Sequence, residues 1–330
     1  MTSTLTHEDI QRLRRRRGRS MLLFITDRCP VGCAHCSVDS RTDSPTIIDF
    51  ALFDEILDWL CSTDGLDVVD ISGGEPFAER RGLELASERL AQAGKRQVVH
   101  TSGIWAGREQ APAWIRAVLA RCSCVYLGTD AFHAREISGE RFVHAARAIA
   151  EEGAWIVVQV LGLGDMAEHA EQLLRHAFGA GYASHAEIVT STPLTDGRGA
   201  SVFFRNTRLP GHAFGTCWAL TSPMVRYDGV VSACCNESVI MGHGPSRLRR
   251  RIATSAELDA AIDGFRSDPL LRAMESAGLG VLTQHPRFAD LAEGRCGGIC
   301  ELCWKMLERA PDRNQPDRLI QAVTTLRMPS

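Results

Sequence analysis

Short apolar runs alternate along the chain with longer stretches in which apolar residues recur at helical spacing. The runs occupy residues 21–26, 66–72, 97–101, 124–129, 155–161 and 187–190, and the amphipathic stretches lie near 47–63, 81–93, 111–121, 138–152 and 166–179. Strands separated by helices predict a parallel sheet with right-handed crossovers. Six such units are fewer than the eight of a closed barrel. We therefore predict an α/β fold, a partial (β/α)6 TIM barrel with its chemistry at the carboxyl ends of the strands.

The pattern changes after residue 193. A loop containing Gly and Arg leads to Cys217, and residues 224–234 are typical of a β-hairpin around the turn Tyr227-Asp228-Gly229. A helix near 255–276 and a Cys-rich knot at 296–303 follow. These changes predict four regions: an N-terminal basic arm (1–20), the partial barrel (21–192), a second domain (193–310) and a C-terminal tail (311–330).

The N-terminal arm is polar and rich in arginine. Its basic cluster consists of Arg12, Arg14, Arg15, Arg16, Arg17 and Arg19. We expect a solvated helix that pairs with acidic residues elsewhere; contact with a nucleic acid or a membrane is the alternative.

Composition narrows the class of protein. A chain of 330 residues can bury a large core, and 45% hydrophobic with 23% charged residues excludes disordered, collagen-like and coiled-coil proteins. No apolar run approaches the roughly 20 residues needed to span a bilayer. The formal net charge of −3 lacks the basic excess of a nucleic-acid partner. We expect a soluble, cytoplasmic protein without nucleic-acid or membrane partners.

Twelve cysteines are unusual for a chain without a secretory leader, and they indicate metal binding. Three of them, Cys29, Cys33 and Cys36, lie within eight residues just after the first predicted strand. Soft sulfur ligands select iron–sulfur clusters or zinc. Three thiolates suit a 4Fe-4S cluster with one open iron, whereas a structural zinc site needs four ligands. Zinc completed by His35 is the alternative.

The second predicted strand ends in Ser72-Gly73-Gly74-Glu75-Pro76. Two glycines after a strand are most often only a turn. At the carboxyl end of a strand, however, they also expose backbone groups to a ligand, and the Glu75 carboxylate can hold an ammonium group.

Together, the CxxxCxxC loop and the GGEP turn resemble the two diagnostic motifs of the radical S-adenosylmethionine (radical SAM) superfamily, in order and on the expected elements. The resemblance implies that Cys29, Cys33 and Cys36 ligate a catalytic 4Fe-4S cluster whose open iron binds S-adenosylmethionine. It further implies that the motif Gly73, Gly74, Glu75 and Pro76 holds the methionine amine. His35 stands where the family often has an aromatic residue that packs on the adenine.

Other polar residues fall near the same strand ends. Similar enzymes place a hydroxyl or carboxylate against the ribose after strand four, where this chain has Thr129 and Asp130. Gln159 interrupts an apolar strand, and it either faces the cofactor or is a hydrogen-bonded core glutamine. His133 is a candidate acid or base, with a surface loop histidine as the alternative.

A second group of cysteines lies in the C-terminal half: Cys217, Cys234, Cys235, Cys296, Cys300 and Cys303. The spacing Cys217…Gly229…Cys234 and the closing Cys300-Glu301-Leu302-Cys303 resemble SPASM and Twitch auxiliary-cluster domains. The resemblance implies that Cys217, Cys234, Cys300 and Cys303 hold one auxiliary 4Fe-4S cluster, with Cys235 and Cys296 as possible substitutes and a four-cysteine zinc site as the alternative. We expect the remaining Cys61, Cys122 and Cys124 to be small buried hydrophobes.

The chemistry of the family is cleavage of S-adenosylmethionine to methionine and a 5′-deoxyadenosyl radical, which abstracts hydrogen from carbon. An auxiliary cluster with four protein ligands favours electron transfer. In a dehydrogenase, the carbon radical of a carbinol passes an electron to that cluster and a proton to a base, for which Asp130 and His133 are candidates. An epimerase needs a non-ligand thiol in the chamber. Because none is obvious, the sequence favours dehydrogenation to a ketone, although Cys235 or Cys296 can supply one.

Length and Twitch spacing resemble enzymes of aminoglycoside and aminocyclitol antibiotic biosynthesis, including the butirosin, hygromycin B and spectinomycin pathways. The resemblance implies a small aminosugar or aminocyclitol substrate and a flavodoxin- or ferredoxin-type electron donor. Asp130, Glu187 and Asp196 are candidates for an acidic pocket, although they can equally be ordinary solvated or paired carboxylates. The alternatives are a peptide maturase and a non-catalytic iron–sulfur or zinc protein; an RNA-modifying enzyme is disfavoured by net charge.

Overall fold

A computed structural model describes residues 4–129, 132–133, 135–204, 207–310 and 317–326. The strands are β1 (Ser20–Phe24), β2 (Val68–Ser72), β3 (Arg96–Thr101), β4 (Cys122–Gly128), β5 (Trp155–Leu161), β6 (Ala186–Ser191), β7 (Leu209–Pro210), β8 (Met224–Arg226), β9 (Val230–Ser232), β10 (Arg249–Arg251) and β11 (Arg295–Cys296). The helices are α1 (His7–Arg14), α2 (Phe50–Ser62), α3 (Arg80–Gln92), α4 (Ala113–Leu119), α5 (Gly139–Glu151), α6 (Met166–Phe178), α7 (Glu237–Ile240), α8 (Ser255–Ser267), α9 (Pro269–Ser276), α10 (Leu279–Leu282), α11 (Ile299–Arg309) and α12 (Arg318–Leu326). Within these described residues, no helix is long and apolar enough to cross a membrane.

Strands β1 to β6 form a parallel sheet in chain order, and one of the helices α2 to α6 connects each strand to the next. The predicted partial barrel of six strand–helix units is confirmed. The predicted hairpin is also present as β8 and β9, but it extends the same sheet: β8 pairs parallel with β1, and β9 and β10 follow antiparallel. The full order is β10-β9-β8-β1-β2-β3-β4-β5-β6.

Alternating side chains separate the two faces of the sheet. On β1, Met21 and Leu23 pack with the helices in the main core, whereas Leu22 and Phe24 point to the inner face with Met224 of β8. Successive side chains of a strand point to opposite faces of the sheet. The helices α2 to α6 cover one face, and other parts of the chain cover the inner face, so side chains on both faces are buried. The inner face is therefore the place for a chamber.

Helix α1 closes one part of that inner face. Ile10 is fully buried and, together with Leu5, packs against inner-face residues of β2 to β5. Thr6 and Asp9 form a reciprocal capping box that starts the helix. The expectation of a solvated arm is wrong for this helix, because its apolar side fills the barrel; Arg14 does pair with an acidic residue, Asp70 of β2.

Two predicted C-terminal elements differ from the structure. The single helix expected near 255–276 is two helices, α8 and α9, because Asp268 ends the first and its carboxylate accepts hydrogen bonds from Leu270 N and Leu271 N of the second. The expected Cys-rich knot at 296–303 is β11 followed by the first turns of α11, so Cys300 and Cys303 lie one helical turn apart.

Candidate active site and cysteine groups

The loop after β1 carries the first three cysteines and brings them together. Cys29 N donates to Arg41 O at 2.9 Å, and Cys36 N donates to Cys33 O at 3.3 Å. All three thiols belong to one small apolar cluster with Val31, Ile104 and Ile137. Burial raises the pKa of the Cys29 thiol to about 12, with smaller contributions from Glu75, Cys33 and Cys36. Three converging thiols fit the soft donor set of an iron–sulfur cluster.

A buried ion pair anchors the start of this loop to the hairpin. The Arg226 guanidinium donates two hydrogen bonds to the Asp27 carboxylate, at 3.0 and 2.7 Å, and Tyr227 Oη donates a third at 2.7 Å. Both charged side chains are about one-tenth exposed or less. A bidentate contact of this kind fixes orientation as well as distance. Cys29 therefore lies only two residues after Asp27, a residue whose position is fixed.

The glycines after β2 are required by a close approach of two backbones. A Cβ atom on Gly73 would lie 2.6 Å from Thr26 O, and one on Gly74 would lie 2.4 Å from Arg28 O. Gly74 N donates to Thr26 O at 2.7 Å, and Glu75 N donates to Arg28 O at 2.9 Å. The GGEP turn therefore packs directly on the start of the three-cysteine loop.

Glu75 is placed differently from the expectation that its carboxylate holds the cofactor amine. Its Oε1 accepts from Thr101 Oγ1 and Phe77 N, and its Oε2 accepts from Ser102 N and Ser102 Oγ, at 2.6–3.2 Å. Burial raises the pKa of Glu75, and these hydrogen bonds oppose that shift. With four donors, the carboxylate is saturated. Glu75 thus joins the ends of β2 and β3.

An aromatic group adjoins the three-cysteine loop. The His35 ring lies 4.8 Å from Phe132, 5.1 Å from His133 and 6.4 Å from Phe203 between centroids. His35 is therefore where a planar ring can stack, as the motif implies. His133 packs edge-on against His35 and also lines a small pocket with Thr129, so the structure associates it with the expected adenine site.

Three other expected contacts with the cofactor are distributed as follows. Thr129 is buried just beyond the end of β4. Asp130 lies outside the described residues. Gln159 is exposed on β5, two residues beyond the inner-face Val157, so it is not a core glutamine and projects on the chamber side.

The structure brings together Cys217, Cys234, Cys300 and Cys303 from three parts of the chain. Cys217 precedes a short 3-10 helix, Cys234 follows β9, and Cys300 and Cys303 lie on α11. Burial raises the pKa of the Cys234 and Cys303 thiols well above its ordinary value, and each thiol also interacts electrostatically with Cys217. Cys303 interacts in the same way with Cys300. These four cysteines are the auxiliary cysteine group: Cys217, Cys234 and Cys303 are buried, and Cys300 is partly exposed.

Cys235 packs in a different apolar cluster from Cys217, Cys234 and Cys303. It contacts Leu22, Phe24 and Met224 of the inner face, in the same cluster as Cys36. Arg14, Glu237, Asp70 and the thiol of Cys217 interact electrostatically with Cys235. Cys235, which the sequence left as a possible chamber thiol, therefore lies beside inner-face residues, whereas Cys234 packs in the main core.

The remaining four cysteines lie outside both the three-cysteine loop and the auxiliary cysteine group. Cys296 is buried, and Lys305 Nζ approaches its sulfur at 3.6 Å. Cys122 and Cys124 are buried as predicted. Cys61, however, is only half-buried near the end of α2, where the helix borders solvent.

Sequence reasoning missed a polar chain across the inner face. Arg14 Nη2 lies 3.1 Å from Asp70 Oδ1, and His100 Nε2 lies 3.6 Å from the same oxygen. The His100 ring stacks on Tyr126 at 4.6 Å between centroids. Asp70 is fully buried; burial favours its neutral form, but Arg14 and His100 outweigh this and lower its pKa. An Asp inside a valine-rich strand was the signal that could have revealed it.

Two of the acidic residues proposed for the substrate have other partners. Glu187 Oε1 accepts from His7 N and Trp155 Nε1, each at 2.7 Å, so it anchors α1. Asp196 accepts from Ser238 Oγ and lies near Glu237. Burial raises the pKa of Glu237 to about 7, and the charge of Asp196 adds to the shift.

Among the described residues, no three His, Cys, Asp or Glu side chains are arranged around a single metal-ion position. A 4Fe-4S cluster attaches each thiolate to a different iron, so its ligands lie further apart than those of one ion.

Comparisons with known proteins agree with this architecture. Residues 23–177 match the family model described as the Radical SAM superfamily. No curated protein sequence matches the chain.

Solved structures with the same fold include Streptococcus suis SuiB bound to S-adenosylmethionine, at 12% identity over 79% of this chain and 68% of that chain, with a TM-score of 0.52. They also include anSMEcpe with bound AdoMet and Cp18Cys peptide, at 14% identity over 93% and 99%, with a TM-score of 0.51. BtrN in complex with AdoMet and 2-DOIA is 13% identical over 84% and 92%, with a TM-score of 0.45.

Proposed function

Since residues 23–177 form a radical SAM domain, we propose that the protein is a radical SAM enzyme with two 4Fe-4S clusters that acts on a carbinol carbon of an aminosugar or aminocyclitol. When bound, the catalytic cluster and S-adenosylmethionine supply a 5′-deoxyadenosyl radical that abstracts hydrogen. The observation that carries the proposal is the packing of the GGEP backbone on Thr26 and Arg28, at the start of the loop in which the thiols of Cys29, Cys33 and Cys36 converge.

The surrounding residues would bind and orient the cofactor. The backbone of Gly73 and Gly74 lies against the three-cysteine loop, where it can bind the methionine part. His35, with Phe132 and Phe203 beside it, offers a stacking surface for adenine. Thr129 and Gln159 provide polar groups along the inner edge of the sheet.

The auxiliary cysteine group would hold the second cluster. Its four thiols form a closed ligand set, so a cluster bound there presents no open iron to substrate. Its role is then to carry electrons, and the reducing electrons come from a flavodoxin- or ferredoxin-type donor.

Epimerisation is the outcome that the placement of Cys235 favours. Burial raises the pKa of Cys235 to about 11, so at neutral pH it carries the S–H bond that hydrogen-atom donation requires. The S–H bond breaks as a new C–H bond forms on the opposite face of the substrate radical. The sulfur radical left on Cys235 would need one electron and one proton to become a thiol again; the proton would come from solvent, and a cluster held by the auxiliary cysteine group would supply the electron.

Dehydrogenation is the second candidate, and the placement of His100 favours it. His100 lies on the inner face near the carboxyl end of β3, next to the Thr101 and Ser102 that hold Glu75. The Nε2 atom of His100 is buried and faces Asp70, so the partly exposed atoms of His100 are the other atoms of its ring. In this outcome the substrate radical would lose its hydroxyl proton to His100 and one electron to a cluster held by the auxiliary cysteine group, and the carbinol would become a ketone; Asp130 and His133 are the other bases to test.

The substrate class rests on charge. The Glu237 carboxyl interacts electrostatically with Cys235, and Asp196 interacts with Glu237, so the ammonium group of an aminosugar bound beside Cys235 could pair with Glu237. A peptide is the competing substrate, and a peptide is bound in the anSMEcpe structure. Both classes therefore belong in the assay.

The test is an anaerobic assay with S-adenosylmethionine, a reductant and panels of aminosugars, aminocyclitols and peptides. Wild-type protein should form 5′-deoxyadenosine, and Cys29→Ala, Cys33→Ala and Cys36→Ala should each abolish it, with Cys61→Ala as the matched control. Formation of 5′-deoxyadenosine by a variant with all three substitutions would refute the assignment of Cys29, Cys33 and Cys36 to the catalytic site. In deuterium oxide, epimerisation should place deuterium on the target carbon, because the thiol exchanges with solvent; a ketone without deuterium would establish the second candidate instead.

A further inference from the structure

The segment that follows β6 folds back onto the three-cysteine loop. Arg198 N donates to Cys36 O at 2.9 Å, and Arg198 Nε donates to Cys33 O at 3.0 Å. The same guanidinium donates through Nη1 to Ser40 O at 2.9 Å and to Asp39 Oδ1 at 2.8 Å. One side chain and its own backbone thus bind four groups spread from residue 33 to residue 40.

Glycines on both sides of Arg198 allow this approach. Gly197 has a φ of +54°, and a Cβ atom there would lie 2.5 Å from Cys36 O. A Cβ atom on Gly199 would lie 2.4 Å from Leu194 O and 3.1 Å from His35 O. The backbone of this turn therefore lies directly against that of the cysteine loop, and a side chain at Gly197 would force them apart.

The two halves of the cysteine loop are held by different parts of the protein. The Cys29 half is bonded to Arg41 and, through Arg28 O, to Glu75 N. The half with Cys33 and Cys36 has no regular secondary structure, and Arg198 bonds the carbonyl groups of both residues from outside the loop. Without that bond, the spacing of these two thiols from Cys29 would depend on a chain of flexible backbone angles.

We propose that Arg198 is a positioning residue that orders the cysteine loop before metal arrives, so that the three thiols converge on the catalytic cluster. The proposal rests on the assignment of Cys29, Cys33 and Cys36 as ligands of that cluster. The planar guanidinium can serve two carbonyls and a carboxylate from fixed directions, which a lysine ammonium on a flexible stem cannot reproduce. Geometry, rather than charge alone, is the contribution of Arg198.

Hydrogen exchange of the cluster-free full chain, measured by mass spectrometry, tests whether Arg198 orders the three-cysteine loop and does not depend on enzymatic activity. In Arg198→Ala and Arg198→Lys, amides of residues 29–41 should exchange about tenfold faster than in wild type. Peptides of β3 and β4 should be unchanged. Arg175→Ala is the matched control, because Arg175 forms a surface pair with Glu171 and a ring contact with Tyr182, away from the three-cysteine loop. Wild-type exchange of residues 29–41 in Arg198→Ala would overturn the proposal, and wild-type exchange in Arg198→Lys would overturn the geometric argument.

A second variant covers the case in which Arg198→Ala unfolds the whole chain, seen as faster exchange in β3 and β4 as well. Gly197→Ala keeps Arg198 but disturbs its contact with the three-cysteine loop, so it should accelerate exchange in residues 29–41 alone. Unchanged exchange in Gly197→Ala would count against the positioning role of Arg198. These results are separable from the proposed function. If wild-type protein forms no 5′-deoxyadenosine but Arg198→Ala still accelerates exchange in residues 29–41, the proposed function is contradicted and the positioning role of Arg198 is supported.

Discussion

Cys234 and Cys235 are adjacent in the chain, yet they pack in different apolar clusters: Cys234 lies in the main core with Cys217 and Cys303, and Cys235 lies beside the inner face of the barrel. One peptide bond thus separates a proposed cluster ligand from a proposed hydrogen donor. The short path between them suits the one-electron step that restores the thiol.

Replacing Cys235 should separate radical formation from product formation. Cys235→Ala removes the S–H bond but none of the proposed ligands, so 5′-deoxyadenosine should still form, while the epimer should fall at least about 100-fold. The measurements are iron content, 5′-deoxyadenosine and the stereochemistry of the product. Cys124→Ala, a buried inner-face cysteine, is the control. Loss of iron in Cys235→Ala would show instead that Cys235 is a ligand.

Removing an auxiliary ligand should reduce the metal content by half. Anaerobically reconstituted wild type should hold about eight iron and eight sulfide per chain, and Cys300→Ala or Cys303→Ala should hold about four of each. Iron and sulfide analysis with electron paramagnetic resonance distinguishes the two clusters. Cys296→Ala should match wild type, because Cys296 lies beside Lys305. A wild type with about four iron would contradict the second cluster.

Arg14→Ala should destabilise the fold by about 3–5 kcal/mol, because it leaves the fully buried Asp70 carboxylate without its cation. Urea unfolding of the anaerobic protein measures the change. Arg12→Ala should cost less than about 1 kcal/mol, since Arg12 pairs with Glu8 and Asp9 in solvent. Replacing Arg14 and Asp70 together by leucine should recover most of the loss; a double variant as unstable as Arg14→Ala would show that the ion pair is not the cause.

Glu237 should make the protein less stable as pH rises towards neutrality. Burial raises the folded-state pKa of Glu237 to about 7, above its ordinary 4.5, so between these values the folded state binds more protons than the unfolded state. The free energy of unfolding therefore falls as pH rises from about 4.5 to 7. Glu237→Gln should remove this dependence and be more stable by about 1–3 kcal/mol at pH 8. Equal slopes for both proteins between pH 5 and 8 would exclude this role.

Much of the fold follows from local patterns. Apolar runs separated by amphipathic helices specify six parallel strands in order, because each pattern matches the period of its element. The division of the helix at Asp268 was missed, since Asp and Pro inside an amphipathic stretch mark a boundary only when the carboxylate actually caps the next helix. The inward packing of α1 was missed because its arginines suggested solvent, whereas Ile10 and Arg14 are buried by partners from β2 to β5.

The motifs follow from spacing along the chain, so the three-cysteine loop, the GGEP turn and the existence of a second set of cysteines could be predicted from it. Which of those cysteines converge, the saturation of Glu75 by Thr101 and Ser102, and the position of Cys235 beside the barrel could not. The direction of a side chain depends on strand pairing and on packing between distant segments. Asp27 and Arg226 are 199 positions apart and Cys33 and Arg198 are 165 apart, so each pair meets only through tertiary packing.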